Sequence, residues 1–94
     1  MQAMNVLLYT VKTVSNVSVA LPTIPSGAKR VYITTETDAV RWRADGTAPT
    51  DAVGHLLPKD DSISFTGANY RSLIENIRFI RVTNDASLKI TYFD

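Results

Sequence analysis

An all-β fold, a small antiparallel sandwich or barrel of about seven or eight short strands, is what this sequence predicts. Three observations point to it. Apolar and polar residues alternate at a spacing of two in several short segments, as they do when one face of a strand is buried. Those segments are rich in valine, isoleucine, threonine and aromatic residues, which suit a pleated, half-buried surface. Between them, glycine, proline, asparagine and aspartate recur roughly every 8–12 residues, the spacing of turns in a sandwich.

The elements follow in order. Residues 5–12 (NVLLYTVK) make the first predicted strand. Residues 17–21 (VSVAL) alternate and put Val17, Val19 and Leu21 on one face. Pro22, Pro25 and Gly27 then punctuate a loop. Residues 30–35 (RVYITT) turn Val31 and Ile33 one way and Tyr32 and Thr34 the other. After a polar turn at Glu36-Thr37-Asp38, residues 39–43 return with Val40 and Trp42 opposed to Arg41 and Arg43. These two runs read as an antiparallel hairpin with one buried face. Asp45-Gly46 is a turn signal, and Pro49 with Gly54 keep the chain irregular up to Leu56-Leu57. Residues 62–66 (SISFT) form another short strand between Pro58-Lys59-Asp60-Asp61 and Gly67-Ala68-Asn69. Tyr70, Leu73 and Ile74 share one face if residues 70–75 make a helical turn; a loop there is equally open. Residues 76–82 (NIRFIRV) and 87–93 (SLKITYF) close the chain as a last hairpin through Thr83-Asn84-Asp85-Ala86.

The 94 residues read as one domain, 1–94, with no repeat, low-complexity tract or linker and with residues 1–5 as a candidate N-terminal arm. A hydrophobic share of 45% and a charged share of 20% belong to an ordinary folded protein rather than a disordered one. Ten Lys or Arg against nine Asp or Glu leave a net charge of +1, with the signs interspersed, so no nucleic-acid partner is expected. The absence of cysteine excludes a disulfide framework, a thiolate metal site and a cysteine nucleophile. Met1, Gln2, Ala3 and Met4 lack the basic start of an export signal, and Thr10 and Lys12 break the apolar run from Val6. With nothing near the ~20 apolar residues of a membrane span, no membrane partner is expected and synthesis in a cytoplasm is.

Few residues carry chemistry. His55 is the sole histidine, so a histidine-based triad or zinc site would have to form around it, yet no Gly-x-Ser-x-Gly or His-x-x-His spacing occurs. The simpler reading makes it a loop side chain that caps a turn or covers Leu56-Leu57. Asp45, Asp51, Asp60 and Asp61 sit in turns, where an aspartate accepts local backbone hydrogen bonds more often than it holds calcium. No spacing singles out the opposed carboxylates of a glycosidase. No catalytic residue, metal or cofactor is expected. Arg41-Trp42-Arg43 is the better functional candidate. On a strand the indole points inward and both guanidiniums outward, while Arg78 and Arg81 fall on opposite faces. The two arginines are either a surface for a carboxylate-bearing partner or a solvated face that guards the sheet. An exposed Trp42 would instead be a platform for carbohydrate.

Residues 28–94, about two-thirds of the chain, resemble a family of small virion structural proteins from tailed bacteriophages. The resemblance rests on a strand ending in Arg41-x-Arg43, the block Asp45-Gly46-Thr47-Ala48-Pro49-Thr50, and Gly54 with Leu57. It continues in Arg78-Phe79-Ile80 and in a final strand carrying Leu88, Ile90 and Tyr92. The Asp-Gly-Thr-Ala-Pro-Thr block discriminates, because alternating strands are generic; the first thirty residues carry no such signature. The resemblance implies a jelly-roll-like sandwich and a non-enzymatic head decoration, or cement, protein on the capsid surface. Its partner would be the major capsid protein or another virion protein, and it would self-associate as a trimer or dimer. A tail- or fibre-associated component, or a carbohydrate-binding attachment module, is the alternative.

Within that frame, residues 45–54 are expected to be a rigid corner carrying the chain from one sheet to the other. Gly46 makes the tight turn beside Trp42, Thr47 and Thr50 hydroxyls satisfy backbone groups outside the ladder, Pro49 sets the corner, and Gly54 allows a positive φ or a close approach. Arg41, Arg43, Asp45 and His55 on its rim, with Met1, Gln2, Ala3 and Met4 as a docking arm, are the candidate interface.

Overall fold

The computed structural model describes residues 4–94. In chain order it has β1 (Val6–Val14), β2 (Val19–Ala20), β3 (Arg30–Glu36), β4 (Val40–Arg43), β5 (His55–Leu57), β6 (Ser62–Phe65), α1 (Arg71–Asn76), β7 (Arg78–Arg81) and β8 (Ala86–Phe93). The strands form two four-stranded antiparallel sheets, β1-β8-β3-β6 and β2-β7-β4-β5. Strand β1 pairs with β8, β2 with β7, β3 with β6 and β4 with β5, as in one long hairpin. Cross-pairs β3–β8 and β4–β7 then wind that hairpin into an eight-stranded jelly roll.

This winding corrects three expectations. β3 and β4 are not a hairpin, and neither are β7 and β8, because each pair is divided between the two sheets. Residues 44–54 are not a crossing between sheets, because they join β4 to β5 within one sheet. Period-two alternation specifies which face of a strand is buried but not which strand completes its ladder. Polar turns of similar length therefore serve either connection.

Asp38 shows how the crossings are held. It accepts the Asn84 N–H on one carboxylate oxygen and the Ala39 N–H, at 2.7 Å, on the other. These bonds, Asn84 foremost, keep its carboxyl below the usual range and tie the β3–β4 crossing to the β7–β8 crossing. The buried Thr35 hydroxyl donates to the Asp38 carbonyl at 3.0 Å. No other described polar or charged residue is buried with it.

The core lies between the sheets. Val31 and Ile33 of β3, Leu88, Ile90 and Tyr92 of β8, Val40 of β4 and Phe79 of β7 are buried, as alternation predicts. Leu21 is buried too, but Val17 is 65% exposed and strand β2 is only Val19–Ala20. The chain bends at residues 16–17 to leave β1, which breaks the alternation before it reaches Val17. Residues 70–75, open between helix and loop, supply most of α1, which buries Ile74. The Arg71 guanidinium pins this helix by donating to the Ser26 and Ala28 carbonyls at 3.3 and 3.1 Å and to Glu75 at 3.0 Å.

The buried Tyr92 hydroxyl donates to the Pro22 carbonyl at 2.6 Å. Burial pushes its pKa up to about 12 from 10.0. Because the folded value is the higher one, the stabilisation is full below pH 10.0 and declines as pH rises towards about 12. The melting temperature of the wild type is expected to fall over that interval. Tyr92→Phe should start lower by about 1–2 kcal/mol, from the lost hydrogen bond, and lose this part of the alkaline slope. Parallel alkaline melting curves for the two proteins would contradict the assignment.

Candidate functional site

Residues 44–54 form the tip of the wound hairpin, between β4 and β5. Alternation along β4 turns Val40 and Trp42 inward and Arg41 and Arg43 outward, as expected. Trp42 pairs across the sheet with His55 on one side and Phe79 on the other. Its ring lies 4.7 Å from that of His55, tilted at 38°, and meets Phe65 of the opposite sheet edge-on at 5.7 Å. Phe65 in turn reaches Tyr70 at 5.6 Å. His55 thus stacks on Trp42 rather than capping a turn or covering Leu56-Leu57. The aromatic run closes the side of the sandwich where β5 and β6 are the edge strands.

Both outward arginines are engaged by the loop itself. Arg41 donates from Nε to the Asp51 carbonyl at 3.0 Å and from Nη1 to the Gly54 carbonyl at 3.1 Å. Arg43 grips both carboxylate oxygens of Asp45, with Nε to Oδ1 at 3.0 Å. Asp45 is held below the usual carboxylate range, first by Arg43 and less by the Thr47 N–H, and the Arg43 guanidinium is raised in return. The outward arginines act as braces, so the loop's conformation depends on them. Arg78 stands directly across from Arg43 and is exposed, while Arg81 turns the other way and pairs with Asp85.

The loop's backbone is equally specified. The Thr50 hydroxyl accepts N–H bonds from Ala52 at 3.3 Å and Val53 at 2.9 Å, and the Thr50 N–H donates to the Val53 carbonyl at 2.9 Å. Thr50 therefore serves as expected. Thr47 contributes through its N–H, to Asp45 Oδ1 at 3.3 Å, rather than through its hydroxyl. Pro49 is buried under the turn. Gly46 has φ +86° and open space around it; Gly54 has φ +137° and lies against the Trp42 carbonyl and the Pro49 and Arg41 side chains.

The loop walls two open grooves. One, about 520 Å³, is lined by Trp42, Arg43, Asp45, Val53, Gly54 and His55. The other, about 370 Å³, lies between Thr50 and Asp51 of the loop and Asn16, Ile80, Val82 and Thr83. Asn16 and Thr83 come from the β1–β2 and β7–β8 connections, and only the winding of the chain brings them to the loop. No local signal in the sequence marks them. Of the candidate docking arm, Met4 is exposed and Met1, Gln2 and Ala3 lie outside the described residues. Among the described residues, no three histidine, aspartate or glutamate side chains gather as a metal site. Asp61 accepts the Ser62 N–H at 2.8 Å and Asp60 has φ 65°, the geometry of a turn.

Fold and loop together define a small jelly-roll sandwich with a braced hairpin tip between two grooves. Compared with known proteins, the chain matches no protein-family model, no curated protein and no solved structure.

Proposed function

We propose that this chain is a non-enzymatic structural component of a tailed-phage particle, a decoration protein that stabilises the head by binding across capsid subunits. The observation that carries this reading is the braced tip. The Asp45-Gly46-Thr47-Ala48-Pro49-Thr50 block, on which the family resemblance rests, builds a ridge whose arginines, carboxylate and threonine are satisfied internally. A surface fixed in advance gives up little conformational entropy on docking. Val53, exposed on its crest beside the larger groove, supplies apolar contact. Each copy needs only a modest interface, because simultaneous contact with two or more capsid subunits multiplies weak affinities.

Co-sedimentation with phage heads tests it. Wild-type protein is expected to pellet with heads at a saturating ratio, and Val53→Glu to need about tenfold more protein for the same occupancy while melting at the same temperature. Failure of the wild type to pellet, or equal binding by the variant, would contradict the proposal.

A second reading rests on the larger groove, where the Trp42 and His55 rings stand beside the Arg43–Asp45 pair. Aromatic faces with adjoining planar polar groups suit a sugar ring, as in a tail-associated attachment module. Trp42 is the only tryptophan, so its emission reports directly on this groove. Saturable emission changes with glycans, lost in His55→Ala while Trp42 still reports, would favour attachment over decoration.

A further inference from the structure

We propose that β1 is a self-association edge, through which two copies of the chain pair their β1 strands antiparallel about a two-fold axis at Val11. Each sheet ends in two edge strands, and three of the four are short: β2 has 2 residues, β5 has 3 and β6 has 4. β1 has 9 and, among the described residues, pairs on one side only. A long strand with unpaired N–H and C=O groups is a template for another strand. This one also displays apolar side chains, with Val6 63%, Leu7 40%, Tyr9 58% and Val11 47% exposed. Leu7, Tyr9 and Val11 alternate onto one face of the strand and make an apolar stripe along its open edge.

The register follows from the strand itself. An irregularity between Val6 and Leu8 interrupts the β1–β8 ladder, and residues 8–14 then pair without a break. The midpoint of that regular stretch is Val11. A two-fold axis there keeps each side chain on its own face and confines the new ladder to residues 9–13, because Val14 is fully buried within its own chain. Tyr9 then meets Thr13, Thr10 meets Lys12, and the two Val11 side chains meet. Lys12 is the only charge in β1, and in this register it faces a threonine hydroxyl rather than its twin.

The occupant is a second copy because the strand is complementary to itself and because such pairing closes. The merged eight-stranded sheet would end at both sides in β6, with 4 residues, so no long edge remains to recruit a third copy. A single strand pair is a small interface beside the ~800 Å² per partner of a standard tight complex, so a weak, reversible dimer is expected. The ridge between β4 and β5 belongs to the other sheet and stays free, so dimerisation and particle binding are read separately.

Sedimentation equilibrium of the full chain up to about 100 µM is expected to show a monomer–dimer equilibrium and nothing larger. Val11→Lys brings two ammonium groups together at the axis and should weaken the dimer at least ~tenfold. Tyr32→Lys, on the same sheet face but on β3, should leave it unchanged. Because the chain has no cysteine, Val11→Cys should cross-link to itself under mild oxidation whereas Tyr9→Cys should not. The melting temperature of each variant, measured alongside, separates lost pairing from lost fold. A monomer at every concentration, a trimer, a dimer indifferent to Val11→Lys, or the absence of the Val11→Cys cross-link would each overturn the proposal.

Discussion

Gly54→Ala is expected to lower stability by about 2–4 kcal/mol, although it adds one methyl group to a loop. At φ +137° the backbone lies where side-chain-bearing residues are strained by about 1–3 kcal/mol. The new methyl would also stand 3.1 Å from the Trp42 carbonyl oxygen, 3.2 Å from Pro49 Cβ and 3.3 Å from Arg41 Cβ. The carbonyl belongs to β4 and cannot retreat without disturbing the ladder, and the Arg41 brace to the Gly54 carbonyl would shift with it. Gly46→Ala is the control. Its φ of +86° is also unfavourable, but nothing lies within 4 Å, so only about 1 kcal/mol is expected to be lost. At about 4–8 °C per kcal/mol for a domain of this size, thermal melts followed by circular dichroism resolve the two. Equal losses for the two glycines would mean that the close approach at Gly54 carries no weight.

Phe79→Ala is expected to cost about 3–5 kcal/mol, a large part of the 5–15 kcal/mol that hold an ordinary domain together. Phe79 is fully buried on β7 and lies opposite Val19 of β2 on one side and Trp42 of β4 on the other. Removing its ring opens a cavity under the aromatic run. Strand β4 cannot move in to fill it, because its ladders to β5 and β7 hold it on both sides. Urea unfolding should show a lower midpoint with an unchanged slope, and Trp42 emission in the folded variant should report a looser environment. By contrast, Val17→Ala, on an exposed side chain, should stay within about 0.5 kcal/mol of wild type. A mild Phe79→Ala would place the centre of the core elsewhere.

The contrast between Phe79 and Val17 also shows how far the sequence could be read. Alternation identifies the inward faces of β3 and β4, because a half-buried strand repeats its environment every second residue. Trp42 inward with Arg41 and Arg43 outward is the same rule at work. Alternation carries no information about which strand lies alongside, so it suggests hairpins at β3–β4 and β7–β8, where the chain crosses between sheets, and a crossing where β4 and β5 make the true hairpin. Strand β5 escaped notice because its 3 residues are too few to display a period. Val17 misled because a bend interrupts the pattern one residue before β2 becomes regular.

The loop was legible in kind but not in its bonds. Glycine at positions 46 and 54 announced unusual backbone, and both have positive φ. That Arg41 would brace the Asp51 and Gly54 carbonyls, and that Arg43 would close on Asp45, depends on folding the chain back on itself at the tip. The same folding converts two apparently free cations into structural ones, which shifts the candidate contact surface to Val53 and the groove walls.

On the proposed reading, the braced ridge of residues 44–54 meets a neighbour on a repeating particle. A density map of the intact phage particle tests it most directly. The account predicts copies of this sandwich at symmetry-related positions, each with the ridge seated against a capsid subunit. A particle without the chain, or one on which the ridge faces solvent and another surface makes the contact, would contradict it.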